Sequence, residues 1–131
     1  MKTCDLFKKK TVLSFEVFPP KRTDAVDTVY STVAALKELT PDFISVTYGA
    51  GGGRATCDAT LSIASAIKYE YGIESVAHLP CIGLTKEEAT NQLERFKAAG
   101  IENILALRGD IPEGGAPSGD FAHASDLISF I

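Results

Sequence analysis

A short stretch rich in apolar and β-branched residues, followed by an amphipathic one, recurs four times in this 131-residue chain. The apolar stretches begin near Val12, Phe43, Ser75 and Asn103, so each unit takes about 30 residues. Strands that alternate with helices in this way must lie parallel, joined by right-handed crossovers. Two α/β architectures satisfy that rule. An open doubly wound sheet is complete at four or five strands, whereas a (βα)8 TIM-type barrel at this spacing needs about 240 residues. The second would make the chain a single domain, residues 1–131, truncated to about four βα units. The ending favours it, because Asp126 to Ile131 is an apolar helical pattern with neither a C-cap nor a basic last turn.

The local signals are specific. Val12 to Phe18 reads as a strand stopped by Pro19-Pro20, since proline supplies no ladder donor. Thr23 or Asp24 can cap the next helix, whose apolar positions Val29, Tyr30, Val33, Leu36 and Leu39 recur along one face and which ends before Pro41. Phe43 to Tyr48 is a second strand, running into the glycine loop 49–53. Thr56 to Tyr71 is helical, closed by Gly72 as a left-handed cap. Ser75 to Leu79 is a third strand. Thr85 and Glu88 form a capping box that starts a helix from Lys86 to Ala99, burying Ala89, Leu93 and Phe96. Asn103 to Leu107 is the fourth strand, and a last helix begins near Ala122 or Ser125. Met1 to Lys10 reads equally as a short leading helix or a frayed end.

Composition narrows the function. A 45% hydrophobic and 23% charged chain is globular, and 13 basic against 17 acidic residues leave a net charge of −4 with no basic footprint for nucleic acid. A small-molecule partner follows. No apolar run reaches membrane-spanning length and the first ten residues lack a signal-peptide core, so the expected location is cytoplasmic, with no membrane partner. Cys4, Cys57 and Cys81 are far apart and odd in number, and read as free thiols rather than disulfides or a zinc site.

Ligands of both candidate architectures bind at the C-terminal ends of the strands. Those ends carry Glu16, Thr47-Tyr48, His78 and Arg108-Gly109-Asp110, which would face one cleft. Each has a plainer reading. Glu16 is the only acid in an apolar strand, so it is either a costly buried carboxylate with a function or a neighbour of Ser14 on a solvent face. The glycine loop can cradle a phosphate but matches no standard spacing, and equally suits a plain connection. His78 can be a core histidine, and with only His123 besides it no metal cluster forms. Arg108 and Asp110 can pair with each other. Tyr48 can be core packing.

Together the motifs SFEVFPPK, PDFISVTYGAGGG, AHLPCIG and ILALRGD, one per successive strand, resemble the methylenetetrahydrofolate reductase family over roughly residues 12 to 128. The resemblance implies a flavoprotein TIM barrel. Such a protein binds FAD, takes a hydride from NADH or NADPH and converts 5,10-methylenetetrahydrofolate to the 5-methyl form, in one-carbon metabolism and methionine synthesis. It places Glu16 on the family's general acid, a role served by a raised pKa, and Asp110 on the acid beside flavin and pterin. Thr47, Tyr48, Ala50, His78, Arg108, Gly109 and Asp110 fall on positions lining FAD. His123 and Ala124 fall where the family commonly has Tyr-Ala beside the adenosine part.

The chain also departs from the family pattern. His123 replaces a tyrosine, and Thr56 to Thr60 lacks an expected arginine unless Arg54 supplies it. Strands five to eight of the family barrel, which carry further cofactor and pterin contacts, are absent. Two alternatives therefore stand beside the reductase reading: a catalytically incompetent half-barrel that self-associates as a homo-oligomer without flavin, and an unrelated phosphate-binding barrel using the glycine loop.

Overall fold

The computed structural model describes residues 1–20, 26–48, 54–111 and 119–131, the side chains of Val26 and residues 54–56 excepted. The cap candidates Thr23 and Asp24, the glycine loop 49–53 with Ala50, and residues 112–118 lie outside the described residues.

Strands β1 (Ser14–Val17), β2 (Phe43–Val46), β3 (Glu74–Pro80) and β4 (Ile104–Leu107) alternate with helices α1 (Val26–Lys37), α2 (Arg54–Tyr69), α3 (Lys86–Ala98) and α4 (Ala124–Phe130). All neighbouring strands are parallel and the sheet order is β1-β2-β3-β4. That order decides between the two architectures. A doubly wound sheet reverses at its switch point, whereas strands in sequence order with crossovers of one hand belong to the barrel type.

The elements sit where their chemistry puts them. Glycine ends two helices, with Gly72 and Gly100 at φ of 71° and 70°, where only an achiral residue is unstrained. The capping box is present: Thr85 accepts from Glu88 N, and the Glu88 carboxylate accepts from Thr85 N at 2.8 Å. Leu39 departs from the expected stripe and is 56% exposed, because α1 ends at Lys37 and the helical phase is lost before it.

Alternate strand residues define two faces. Val17, Ile44, Val46, Ala77 and Leu79 pack into one cluster with Val33 of α1, Ile63 and Ile67 of α2, Ala89 and Phe96 of α3, and Leu127 of α4. The other face carries Ser14 and Glu16 of β1, Ser45 of β2, Val76 and His78 of β3 and Leu105 of β4, aligned by the register pairs Glu16 with Ser45, Ser45 with Val76, and His78 with Leu105. Its middle is sheltered, with Ser45 and His78 buried. Leu105 at its margin is exposed, as is Phe18 just beyond β1.

The first ten residues are tied down rather than frayed. Thr3–Asp5 forms a 3-10 turn, and Thr3 N donates to the Asn103 side chain at 2.9 Å. The Met1 ammonium lies 2.7 Å from Glu74 and 2.8 Å from Glu102, and Lys68 reaches Glu74 at 3.1 Å. The buried Glu74 carboxylate thus has two cations, and their hydrogen bonds outweigh the desolvation that would raise its pKa, leaving it below its ordinary value. This network closes the N-terminal end of the sheet, opposite the strand ends that carry the candidate residues.

Candidate active site

β1 brings Glu16 to within one residue of its C-terminal end. Register pairing sets Ser45 beside it, and His78 comes from the next strand over, two residues beyond the Val76 that pairs with Ser45. The Ser45 hydroxyl donates to Glu16 Oε2 across 3.5 Å, and His78 Nε2 lies 3.4 Å from the same oxygen. At the second separation the carboxylate acts on the ring electrostatically without making a hydrogen bond, so among the described residues this buried nitrogen has no hydrogen-bond partner. Burial pushes the His78 pKa down and the Glu16 carboxylate opposes it; the ring is held below its ordinary value.

Of the two readings of Glu16, the structure shows the solvent-face one: the side chain is 58% exposed, on the open face that it shares with Ser14. A groove of about 410 Å³ runs from Glu16 and Phe18 along Thr28, Thr32 and Leu36 of α1. A larger cavity of about 680 Å³ lies between α2 and α3, lined by Cys57, Gln92 and Arg95 on the helix layer, and it holds none of the strand-end residues discussed here.

Thr47 follows β2; its N–H donates to Val17 O at 2.9 Å and its carbonyl accepts from Thr60 at 3.1 Å. Tyr48 turns the other way. Its hydroxyl donates to Gln92 of α3 at 3.3 Å, and burial, with Cys57 nearby, pushes its pKa up to about 12. It packs against the core, on the side of the sheet away from Glu16.

Beyond β4, Ile82 N donates to Arg108 O at 2.8 Å, which continues the β3–β4 ladder past the strand end. Arg108 Nε donates to the Gly109 carbonyl at 3.2 Å, and among the described residues no ion pair joins Arg108 to Asp110. Gly109 has φ of 83°, and a Cβ there would sit 2.8 Å from Ile82 Cγ2. Only glycine fits where this loop passes so close to β3. Asp110 and Arg108 are exposed at the same end of the sheet as Glu16, with β2 and β3 between.

His123 and Ala124 stand at the start of α4, where His123 N and Ala122 N both donate to Asp126 Oδ2. The His123 side chain is mostly exposed. Among the described residues no group of three His, Cys, Asp or Glu could hold a metal, all three cysteines are free thiols, and no helix is long and apolar enough to cross a membrane.

Sequence reasoning missed Ser45. Its signal was the parallel pairing itself, since sliding β2 against β1 with period-two alternation places Ser45 opposite Glu16.

Residues 2–131 match the family model described as methylenetetrahydrofolate reductase. The chain is 42% identical over 120 residues to a 5,10-methylenetetrahydrofolate reductase of Pectobacterium carotovorum subsp. carotovorum, covering 91% of this chain and 39% of the relative. It is 40% identical to the Escherichia coli (strain K12) protein of the same name, with the same coverage. Against methylenetetrahydrofolate reductase (NADH) 1 of Arabidopsis thaliana it is 39% identical, covering 100% of this chain and 23% of the relative. The chain therefore spans well under half the length of these relatives.

Proposed function

The chain belongs to the methylenetetrahydrofolate reductase family, and we propose that it supplies the acid-bearing wall of a pocket that reduces 5,10-methylenetetrahydrofolate to 5-methyltetrahydrofolate. The reading includes FAD as cofactor, NADH or NADPH as hydride donor, and a cytoplasmic setting. The observation that carries it is the Glu16 cluster: a carboxylate on the open face, one oxygen shared by Ser45 and His78, beside a buried imidazole nitrogen with no partner among the described residues.

That unpartnered nitrogen suits a polar ligand at the strand ends, because an unsatisfied buried donor or acceptor costs about 1–3 kcal/mol until something meets it. The residues that would hold the flavin are Thr47, His78, Arg108 and Gly109, with Ala50 from the glycine loop and His123 and Ala124 at the start of α4. Tyr48 has its hydroxyl engaged on α3, so its contribution would come from its backbone. When bound, the flavin relays two electrons from nicotinamide to folate. Glu16 gives a proton to the folate as its five-membered ring opens, and Asp110 contributes negative charge beside the pterin. The plant relative's name supports NADH as the donor.

The test is spectroscopic. The purified chain mixed with FAD should take up the cofactor, bleach with NADH and recover its colour with 5,10-methylenetetrahydrofolate. A chain that takes up no flavin contradicts the reading for this polypeptide.

A second reading rests on the open face itself. Phe18 is 72% and Leu105 42% exposed, and β1 and β4 each have one unpaired edge among the described residues. Such a sheet favours a homo-oligomer, two copies pairing edge to edge without flavin. Sedimentation at micromolar concentration separates the two: a stable dimer that stays colourless supports this reading, and a folded monomer refutes it.

A further inference from the structure

We propose that Ser45 is a positioning residue for Glu16, holding one carboxylate oxygen so that the other faces the substrate. Oε2 is 3.5 Å from the Ser45 hydroxyl and 3.4 Å from His78 Nε2, while Oε1 has no hydrogen-bond partner among the described residues. Two neighbours on one oxygen and none on the other make the carboxyl group asymmetric. Negative charge is favoured on Oε2, where a hydroxyl can donate to it, and the proton is favoured on Oε1. Protonation of a substrate nitrogen then breaks the Oε1–H bond and forms an N–H bond, and the charge left behind rests on Oε2 against Ser45.

The supporting groups are themselves fixed. Ser45 is 8% exposed and sits mid-strand in β2, between Glu16 of β1 and Val76 of β3. His78 is 5% exposed in β3, the longest strand. Glu16, by contrast, is largely in solvent, and without a tether its side chain would sample several rotamers. A group that must deliver a proton to one atom loses rate when it does so from many positions.

His78 serves as an internal reporter of that tether. Among the described residues Glu16 is the charged group acting on it: its flanking positions are Ser45 and Thr47 on β2 and Leu105 and Leu107 on β4, with Arg108 and Asp110 beyond the strand end. Anything that lets Glu16 swing away therefore weakens the negative charge felt by the imidazole.

The inference rests on Glu16 as the acid for its meaning, but its geometry is tested without flavin or folate, so the two can fail separately. Follow the His78 ring resonances of the whole chain by NMR against pH. Glu16→Gln should lower the His78 midpoint by about 0.5 pH unit, the size expected for one charge removed from a partly solvated pair. Ser45→Ala should lower it in the same direction by a smaller amount and broaden the Glu16 rotamer distribution read from three-bond couplings. Ser45→Thr, which keeps the hydroxyl, should restore both. In the Glu16→Gln background Ser45→Ala should do nothing further to His78. Unchanged His78 and Glu16 signals in folded Ser45→Ala would overturn the proposal, as would an equal Ser45→Ala effect in both backgrounds. The conservative threonine variant keeps the test valid if alanine disturbs the strand.

Discussion

The two faces of the sheet are built from the same four strands and have opposite characters. On the helix side, Ile44, Val46, Ala77 and Leu79 are fully buried and meet α1 to α4 in one cluster. On the other side, Glu16, Phe18 and Leu105 are exposed, and the polar groups Ser45 and His78 lie buried between them. One residue's shift along any strand moves a side chain from the layer that packs the core to the layer for which we propose the chemistry. Apolar contact accumulates on one face, and the other keeps a carboxylate and a buried imidazole whose Nε2 has no hydrogen-bond partner among the described residues.

Substitutions can break this contrast, starting on the helix side. Phe96→Ala removes a fully buried ring from the cluster and should cost about 3–5 kcal/mol in denaturant unfolding, enough to unfold a marginal domain. A loss under about 1 kcal/mol would mean the helix layer is not the core. Thr85→Ala, at the rim of the same layer, removes the N-cap of α3 and should cost about 1 kcal/mol in the same assay.

The open face responds to pH instead. His78 has a folded-state pKa below its unfolded value of about 6.5, so the unfolded chain binds more protons as pH falls through that region. Its contribution to stability is present above about pH 6.5 and is lost as pH drops through the lowered folded value. Glu16→Gln should deepen that loss, because the carboxylate favours the protonated ring; chemical denaturation between pH 7 and 5 checks the sign. The smallest effect on folding is expected from Phe18→Ser, within about 0.5 kcal/mol, since the ring is already in solvent. The same substitution should weaken any self-association seen in sedimentation.

Much of the fold was legible because its signals are local. Gly72, Gly100 and the Thr85–Glu88 box mark helix ends by backbone requirement, and Val33, Ile63 and Phe96 mark buried faces by spacing. Spacing alone left the strand order open, because it suits both a doubly wound sheet and a barrel; the motif resemblance implied the barrel, and the observed β1-β2-β3-β4 pairing agrees with it. The candidate site could be read from the sequence as a set of strand ends and not as a geometry. Tyr48 shows why. It adjoins Thr47 in sequence, yet its hydroxyl meets Gln92 on the helix layer, because neighbouring residues of an extended segment point to opposite faces. The sequence left Glu16 open between a buried and a solvent face for a related reason: an acid among apolar neighbours looks enclosed in one dimension, but only Phe15 and Val17 of its strand face the helices.

The central claim is that the open face holds a proton donor whose loss spares the fold. Its most direct test is Glu16→Gln in FAD-loaded protein, measured by stopped-flow in two half-reactions. The account predicts bleaching by NADH at close to the unsubstituted rate, recovery with 5,10-methylenetetrahydrofolate slowed by about 10²-fold or more, and an unfolding midpoint at pH 7 that does not move. Recovery at the unsubstituted rate would contradict it.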